Sequence, residues 1–195
     1  TSATHQGMEA YVDASNGEVM IEFERALHAS GEPARSTKKI TVYTGDTEKA
    51  KEHTDPRGYP TDIDLSWYKK VAEDGKHSES IDRSATNAYR NAGLVYDYYV
   101  KQFGRKSFDD NDTRLVSVVH MGDKMNNAFW TSEFNIMAYG DGDGDHLTDL
   151  TYGMDVAGHE LTHGVTSETS KLVYLAESGA LNEAFSDFFG KMVDY

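Results

Sequence analysis

Helical spacing of apolar residues predicts one long helix in the middle of the chain. The pattern begins near Asp82 or Ser84 and ends at about Phe103. Its apolar positions follow helical spacing and include Ala85, Ala88, Tyr89, Ala92, Tyr96, Tyr99 and Val100. A glycine follows Phe103, as is common after the last turn of a helix. Two later runs, residues 154–169 and a stretch that starts at about residue 178, are also expected to be helices.

Shorter β-rich runs predict strands. Residues 10–14 and 18–23 flank Ser15-Asn16-Gly17, and Asn-Gly between such runs is typical of a hairpin. The break at residues 31–34 predicts a linker. Four further runs are expected to be strands: residues 36–44, 114–120, 127–130 and 134–139. Residues 45–60 are polar and indicate turns, and the pattern assigns no element to residues 62–72.

Composition excludes several classes of protein. The 195 residues are 38% hydrophobic and 27% charged, which is enough to form a core and unlike a disordered chain. No stretch approaches 18 consecutive apolar residues, so no membrane span is predicted. Asp plus Glu outnumber Lys plus Arg by 33 to 19, and the net charge of −14 disfavours nucleic-acid binding. This excess indicates a solvated surface, with a minority of carboxylates as candidate calcium ligands.

The absence of cysteine narrows the chemistry further. Without it the chain has no disulfides, no thiolate metal site and no cysteine nucleophile. Its first residues also lack the basic and apolar segments of a signal peptide.

The strongest candidates for catalytic or metal-binding residues lie in His159-Glu160-Leu-Thr-His163. This is an H-E-x-x-H sequence inside the predicted helix of residues 154–169. Positions four apart lie on one helical face, so both imidazoles can point at one metal ion. Glu160 lies beside that face, where a carboxylate can act as a general base.

A second segment supplies a third candidate ligand. Glu183 lies in Asn182-Glu-Ala-Phe-Ser-Asp187, within the last predicted helix. A His₂Glu set leaves a fourth zinc position for water, which is the catalytic form of a zinc site. Asp187 is one turn beyond Glu183, where it can accept the remaining N–H of a zinc-bound histidine.

The simpler interpretation is a chance match, because H-E-x-x-H fixes only three positions. The downstream Asn-Glu-x-x-Ser-Asp segment favours the catalytic interpretation. By contrast, Asp141-Gly-Asp-Gly-Asp145 fails the EF-hand pattern, whose sixth and twelfth places would be His146 and Tyr152. It is predicted to form a tight acidic turn. The remaining histidines carry no ligand spacing and are taken as surface or satisfied core residues: His5, His28, His53, His77, His120 and His146.

Several separated motifs together resemble the thermolysin-like neutral metallopeptidases. They are Asn127-Ala-Phe-Trp, Tyr139-Gly-Asp-Gly-Asp-Gly, Asp155-Val-Ala-Gly-His-Glu-Leu-Thr-His, Glu177-Ser-Gly-Ala-Leu-Asn-Glu and Ser186-Asp. The resemblance covers residues 84–195 closely and residues 36–81 loosely. It implies an α+β fold, the β-rich amino-terminal domain of that family, with the zinc helix along the floor of a cleft.

The resemblance also implies roles for individual residues. His159, His163 and Glu183 would be the zinc ligands, Glu160 the base and Asp187 the carboxylate behind the first histidine. Further expected roles are oxyanion stabilisation by Tyr174, substrate binding along an edge strand by Asn127 and Ala128, and calcium binding by Asp155 and Asp194. Leu147 and Val156 are expected to line the specificity pocket. Without the resemblance, Tyr174 would read as a loop tyrosine and Asp155 as an acid at a helix N-terminus.

The chain departs from the family in two ways. The family continues into a helical carboxy-terminal domain, and this sequence stops at Tyr195, so we expect either a fragment, a processed form or a partner chain. Residues 1–33 resemble the end of the family's propeptide and equally fit a native hairpin. The expected domains are therefore residues 1–33 and 34–195.

The function implied is that of a secreted zinc endopeptidase, with calcium as a second cation. Its expected partners are peptide or protein substrates with a bulky apolar residue after the scissile bond, and its own propeptide or carboxy-terminal domain. The rival interpretation is a non-catalytic module that holds zinc and binds a peptide or partner chain.

Overall fold

A computed structural model gives the fold, and it describes residues 8–12, 19–24, 38–77 and 82–195. The chain divides into two units, Thr1–Ser36 with Tyr195, and Thr37–Asp194. In the first unit, β1 (Met8–Val12) pairs antiparallel with β2 (Val19–Glu24), as expected of a hairpin. The predicted turn at residues 15–17 and the predicted linker at 31–34 lie outside the described residues.

The second unit is built on one six-stranded sheet. Its strands are β3 (Ile40–Thr44), β4 (Lys69–Glu73), β5 (Lys76–His77), β6 (Leu115–Val119), β7 (Ala128–Thr131) and β8 (Ile136–Tyr139). Their order is β5-β4-β3-β6-β8-β7, with β3, β6 and β8 mutually parallel. The antiparallel strand β7 therefore forms one edge of the sheet.

Three long helices follow the predicted positions closely. They are α2 (Arg83–Phe103), α3 (Met154–Glu168) and α4 (Ala176–Asp194), preceded by the short α1 (Glu48–Lys51). Asp82 caps α2 by accepting the backbone N–H of Ala85, and Gly104 ends it in the left-handed conformation that glycine adopts without strain. Among the described residues, no helix is long and apolar enough to cross a membrane.

Helices α2 and α3 cover one face of the sheet, and residues 59–68 contribute to the apolar layer on the other face. On the helical face, Ile40 and Val42 pack with Ala88 of α2 and Leu161 of α3. On the opposite face, which we call the outer face, a second apolar cluster includes several residues of 59–68: Tyr59, Ile63, Leu65 and Tyr68. The mixed sheet and its helical layer confirm the α+β expectation.

Residues 45–60, expected to contain turns, also hold α1, which the Thr47 side chain caps. Residues 62–72, to which the pattern assigned no element, contain a 3₁₀ turn at Leu65–Trp67, capped by Asp64, and most of β4. Neither α1 nor the 3₁₀ turn has a buried residue, so neither produces an apolar pattern. In β4 only Val71 and Ala72 are buried, and a register shift between Val42 and Tyr43 interrupts its pairing with β3. The last sheet strand is also shorter than residues 134–139, because Asn135 adopts a positive φ of 52°.

Close contact between two glycines sets the packing of α3 on α4. A Cβ atom added at Gly158 would lie 2.9 Å from the Gly190 Cα, and one added at Gly190 would lie 2.7 Å from the Asp155 carbonyl oxygen. Real Cβ atoms do not approach backbone so closely, so the two helices can be this near only without these side chains.

We expect Gly190→Ala to destabilise the fold by about 2 kcal/mol, because overpacking against backbone outweighs the gain in helix propensity. Gly93→Ala in α2 is the matched control. Its nearest neighbour would be the Ile40 Cδ1 at 3.6 Å, an ordinary contact, so its free energy of unfolding should stay equal or rise slightly. Urea unfolding of the parent protein and the two variants measures both changes in the free energy of unfolding. Equal stability of the two variants would contradict the packing argument.

His120 joins three elements after the end of β6. Its Nε2 lies 2.8 Å from Asp82 Oδ2, in the cap of α2, and its Nδ1 lies 2.7 Å from Asp141 Oδ1, in the loop after β8. The hydrogen bond to Asp141 is the largest cause that raises the pKa of His120 to about 9, and the one to Asp82 adds to it while burial opposes both.

This pair of contacts makes stability depend on pH. A histidine whose pKa rises on folding stabilises the native state fully below its ordinary pKa of 6.5 and loses that contribution as pH rises through 9. We expect the free-energy difference between the parent protein and His120→Asn to shrink by roughly 2 kcal/mol between pH 6 and pH 9.5. Thermal and urea unfolding at both pH values measure it, and a difference that is the same at both would show that His120 is not charged in this way.

Candidate active site

Helix α3 places two imidazole nitrogens next to each other. His159 and His163 are one turn apart, and their Nε2 atoms lie 3.0 Å from each other. Their rings meet edge to face, with centroids 4.7 Å apart. Both nitrogens therefore point into the same small volume beside the helix.

Glu183 of α4 completes a group of three candidate metal ligands. Its Oε2 lies 3.2 Å from His159 Nε2, and its Oε1 lies 3.5 Å from His163 Nε2. Tetrahedral zinc with Zn–N and Zn–O bonds of about 2.1 Å holds neighbouring ligand atoms roughly 3.4 Å apart. The observed separations are close to that value, so these three side chains fit a metal ion of this size.

The Nδ1 atoms of both imidazole rings form hydrogen bonds with side chains of α4. His159 Nδ1 lies 2.9 Å from Asp187 Oδ1, and His163 Nδ1 donates to Asn182 Oδ1 at 2.8 Å. The Ser186 hydroxyl is also 3.1 Å from His163 Nδ1. With a proton on Nδ1, each Nε2 presents a lone pair to the metal position. Burial is the main cause that lowers the pKa of His163, which favours the neutral ring that metal binding requires.

Sequence reasoning predicted Asp187 in this role but did not single out Asn182 or the glycine contact between α3 and α4. Asn182 directly precedes Glu183, yet it faces His163 only because α4 packs closely on α3. The available signal was glycine inside two helical patterns, which is unfavourable unless packing requires it.

Glu160 is buried beside the candidate metal ligands and is bound to the edge strand. Its side chain accepts the backbone N–H of Trp130 at 3.0 Å through Oε2. Burial raises the pKa of Glu160 to about 8, the Trp130 hydrogen bond lowers it, and the charge of Glu183 raises it further. A cation held by the neighbouring ligands would lower this pKa again, because it favours the ionised carboxylate.

A chain of hydrogen bonds holds the end of β7 against α3. The Trp130 indole N–H donates to the Ser132 hydroxyl at 3.2 Å, and that hydroxyl lies 2.8 Å from the Ser167 hydroxyl. Ser167 donates to the His163 carbonyl oxygen at 2.9 Å. The indole also packs on Gly164, where a Cβ would lie 2.9 Å from ring atoms. These contacts fix the distance between the edge strand and the candidate ligands.

Tyr174 reaches the same group from the loop between α3 and α4. Its side chain is 67% exposed, and its hydroxyl donates a hydrogen bond to Glu183 Oε1. This hydrogen bond is the largest of the contributions that raise the pKa of Tyr174 to about 12. The structure thus places the expected oxyanion residue on a candidate metal ligand.

The expected substrate-binding residues lie at the start of β7, in the loop before α3 and in the first turn of α3. Asn127 is exposed just before β7, and Ala128 is the buried first residue of that strand. Leu147, in the loop before α3, is 43% exposed, whereas Val156 in the first turn of α3 packs partly against the core.

The expected calcium pair is not joined by a direct contact. Asp155 accepts its ion pair from Lys191 of α4, which lowers the pKa of the carboxyl group. Asp194 is the exposed last residue of α4. A calcium ion at Asp155 would therefore have to compete with the Lys191 ammonium group.

The acidic loop after β8 is a tight turn, as predicted from its failed EF-hand pattern. Asp143 accepts backbone N–H groups from Asp145 and His146 and the side-chain amide of Asn126. The Asp143 carboxylate is thereby bonded to its own loop and to Asn126, which precedes β7.

Comparison with known families gives two adjoining matches. Residues 12–167 match the family described as "Thermolysin metallopeptidase, catalytic domain". Residues 170–195 match the one described as "Thermolysin metallopeptidase, alpha-helical domain". The second match begins after α3 and contains Glu183.

Individual relatives agree with this result. The chain is 49% identical over 122 residues to Bacillolysin of Bacillus cereus, which covers 63% of this chain and 21% of that protein. It is 38% identical over 202 residues to Bacillolysin of Bacillus subtilis (strain 168), covering 95% of this chain and 38% of that protein. The chain thus spans well under half the length of these curated relatives.

A solved structure with the same fold is the precursor of protealysin, a metalloproteinase from Serratia proteamaculans. It matches with a TM-score of 0.67 and 32% identity, over 86% of this chain and 46% of that chain. The catalytic-domain match alone covers most of the chain, and together with the His159, His163 and Glu183 group it shows that the chain belongs to the thermolysin metallopeptidase family.

Proposed function

We propose that this protein is a zinc endopeptidase that hydrolyses peptide bonds in extended polypeptides. One observation carries the proposal: a candidate metal site formed by His159, His163 and Glu183 lies next to a buried carboxylate, Glu160, which is bound to a sheet edge. A metal-binding role alone would not require a buried acid at this position, whereas hydrolysis requires a base there.

The two imidazoles and one carboxylate are the donor set of catalytic zinc sites. When bound, zinc would supply Lewis acidity, lowering the pKa of water and stabilising negative charge on a carbonyl oxygen. His159 and His163 would hold the ion through Nε2, while Asp187 and Asn182 keep the rings oriented.

Glu160 would act as the general base and then as the acid. Its carboxylate would accept a proton from the attacking water and deliver it to the leaving amine. The hydrogen bond from the Trp130 N–H keeps one oxygen in place and leaves the other for proton transfer. The Tyr174 hydroxyl would donate a hydrogen bond to the developing oxyanion. For this it must first break its hydrogen bond to Glu183.

The substrate would bind as an added strand on β7. Among the described strands β7 is the last of the sheet and has a partner on one side only, and Asn127 and Ala128 lie at its start. Leu147 and Val156 would line the pocket for a bulky apolar residue that follows the scissile bond. This specificity rests on the family resemblance.

Three further properties are proposed from the family. The protein would be secreted, and calcium would bind at Asp155 and Asp194 after displacing Lys191. Residues 1–33 would correspond to the end of a propeptide, which agrees with the match to a protealysin precursor. Residues 34–195 would form the catalytic part.

The zinc assignment is tested by the metal content of the purified full-length protein. We expect one zinc per chain after dialysis, and we expect His163→Ala to retain less than about a tenth of it, because a two-ligand site binds zinc far more weakly. His146→Ala is the control, since His146 contacts Asp143 in the exposed acidic loop. Equal zinc in both variants would exclude His163 as a ligand.

The role of Glu160 is tested by Glu160→Gln in the full-length protein. Glutamine keeps the size of the side chain and can still accept from Trp130, but it cannot take the proton from water. We expect the hydrolysis rate of an apolar test peptide to fall by at least about 10²–10⁴-fold, with zinc content unchanged.

Two outcomes would contradict this role. A variant that keeps more than about a tenth of the parent rate would show that Glu160 is not the base. A zinc-loaded parent that binds peptide without turnover would instead support a non-catalytic binding module.

A further inference from the structure

A groove of about 330 Å³ lies on the outer face of the edge strand β7. It is lined by residues 59–63, by Phe129 and Thr131 of β7, and by Glu133 and Phe134, which follow that strand. We call this the outer groove. Nothing in the proposed catalytic mechanism uses it.

The outer groove and the candidate active site share one strand but lie on its opposite faces. Side chains alternate along a strand, so Phe129 and Thr131 face away from Trp130. The Trp130 ring packs on Gly164 of α3, whereas Phe129 packs with the apolar cluster of the outer face. One strand thus presents Trp130 toward α3 and Phe129 toward the groove.

The two faces meet at the outer edge of β7, which has no partner strand among the described residues. The Trp130 N–H bonds to Glu160 and not to β8, so the backbone of this residue faces the open edge. A peptide strand added there would pass Glu160, and its alternate side chains would extend over the two faces of the sheet. Those on the outer face would lie about 5 Å from Phe129 or Thr131, as cross-strand neighbours do.

The lining of the groove favours a long side chain with a positive end. Tyr59, Phe129 and Phe134 offer aromatic surface to an aliphatic stem or a cation. Asp62 and Glu133 add two exposed carboxylates, and neither forms an ion pair within the part of the chain that the structure describes. Their negative charge would repel an acidic side chain and attract a basic one.

Arg57 does not neutralise this site. Its guanidinium group lies 5.9 Å from the centre of the Tyr59 ring, but it is already paired with Asp55 through two hydrogen bonds of 2.9 and 2.7 Å. The net charge of −14 would further favour approach of cationic peptides.

We propose that the outer groove is an extended substrate subsite that selects lysine or arginine at a position of the bound strand whose side chain faces away from the metal ligands. The proposal rests on the proposed function and adds a substrate class to it: extended basic peptides. Because side chains alternate, the preference should appear at that position and not at the positions directly before and after it.

The test is a set of matched peptides in which lysine, norleucine or glutamate replaces one residue at a time, from three before to three after the scissile bond. With full-length protein, we expect kcat/KM at the groove position to be about tenfold higher for lysine than for norleucine, and lower still for glutamate. The difference should lie mainly in KM, since the groove is remote from the reacting atoms.

Substitution of the carboxylates identifies the groove as the cause. Asp62→Asn/Glu133→Gln should reduce the preference for lysine to about twofold or less, and Glu133→Lys should make the glutamate peptide better than the lysine peptide. The control Glu48→Gln/Glu52→Gln removes two exposed charges at α1 and should keep the full preference. A preference that survives the first variant, or is lost equally in the control, would overturn the assignment.

A binding measurement separates this proposal from the peptidase assignment. In a Glu160→Gln background, fluorescence anisotropy of labelled peptides should show the same order of affinity, lysine above norleucine above glutamate. If the parent protein cuts no peptide but this order holds, the peptidase assignment fails and the groove stands. If peptides are cut with no such order at any position, the groove assignment fails and the peptidase stands.

Discussion

The candidate active site depends on how closely α4 approaches α3. Two histidines on one helix offer only two ligands, and the third, Glu183, comes from the next helix. Contact between Gly158 and Gly190 allows the helices to pack closely enough for the Glu183 carboxylate to lie 3.2 Å from one imidazole and 3.5 Å from the other. The same packing places hydrogen-bond acceptors of α4 behind both rings. A metal site with oriented ligands therefore follows from helix packing without side chains at the point of contact.

A second constraint links Glu160, the proposed base, to the strand on which the substrate is proposed to bind. Glu160 is buried, and its one hydrogen-bond donor among the described residues is the backbone of the edge strand, at Trp130. The Ser132 and Ser167 hydroxyls and the packing of the indole ring on α3 hold the strand in place. A peptide that added to this edge would thereby be aligned with Glu160, the proposed base. The proposed outer groove would contact side chains of the same bound peptide on the opposite face of β7.

The sequence predicts those elements whose apolar or ligand residues recur at a regular short spacing. Helical spacing identifies α2 and α3, and the i, i+4 relation predicts that His159 and His163 face one point. It does not predict α1, β4 or the apolar cluster on the outer face, because those segments have too few buried residues to form a pattern. Nor can spacing reveal that Asn182 faces His163, since that contact exists only when two helices pack. Family resemblance, carried by several motifs in order, predicted the fold that local patterns leave open.

The most direct test of the account is the position of a metal ion in crystals of the full-length protein, located by anomalous scattering at the zinc absorption edge. The account predicts one strong peak within about 2.0–2.2 Å of His159 Nε2, His163 Nε2 and a Glu183 oxygen. It also predicts the Glu160 carboxylate beside the ion but not bonded to it. A zinc peak elsewhere, or a site in which Glu160 replaces Glu183 as a ligand, would contradict it.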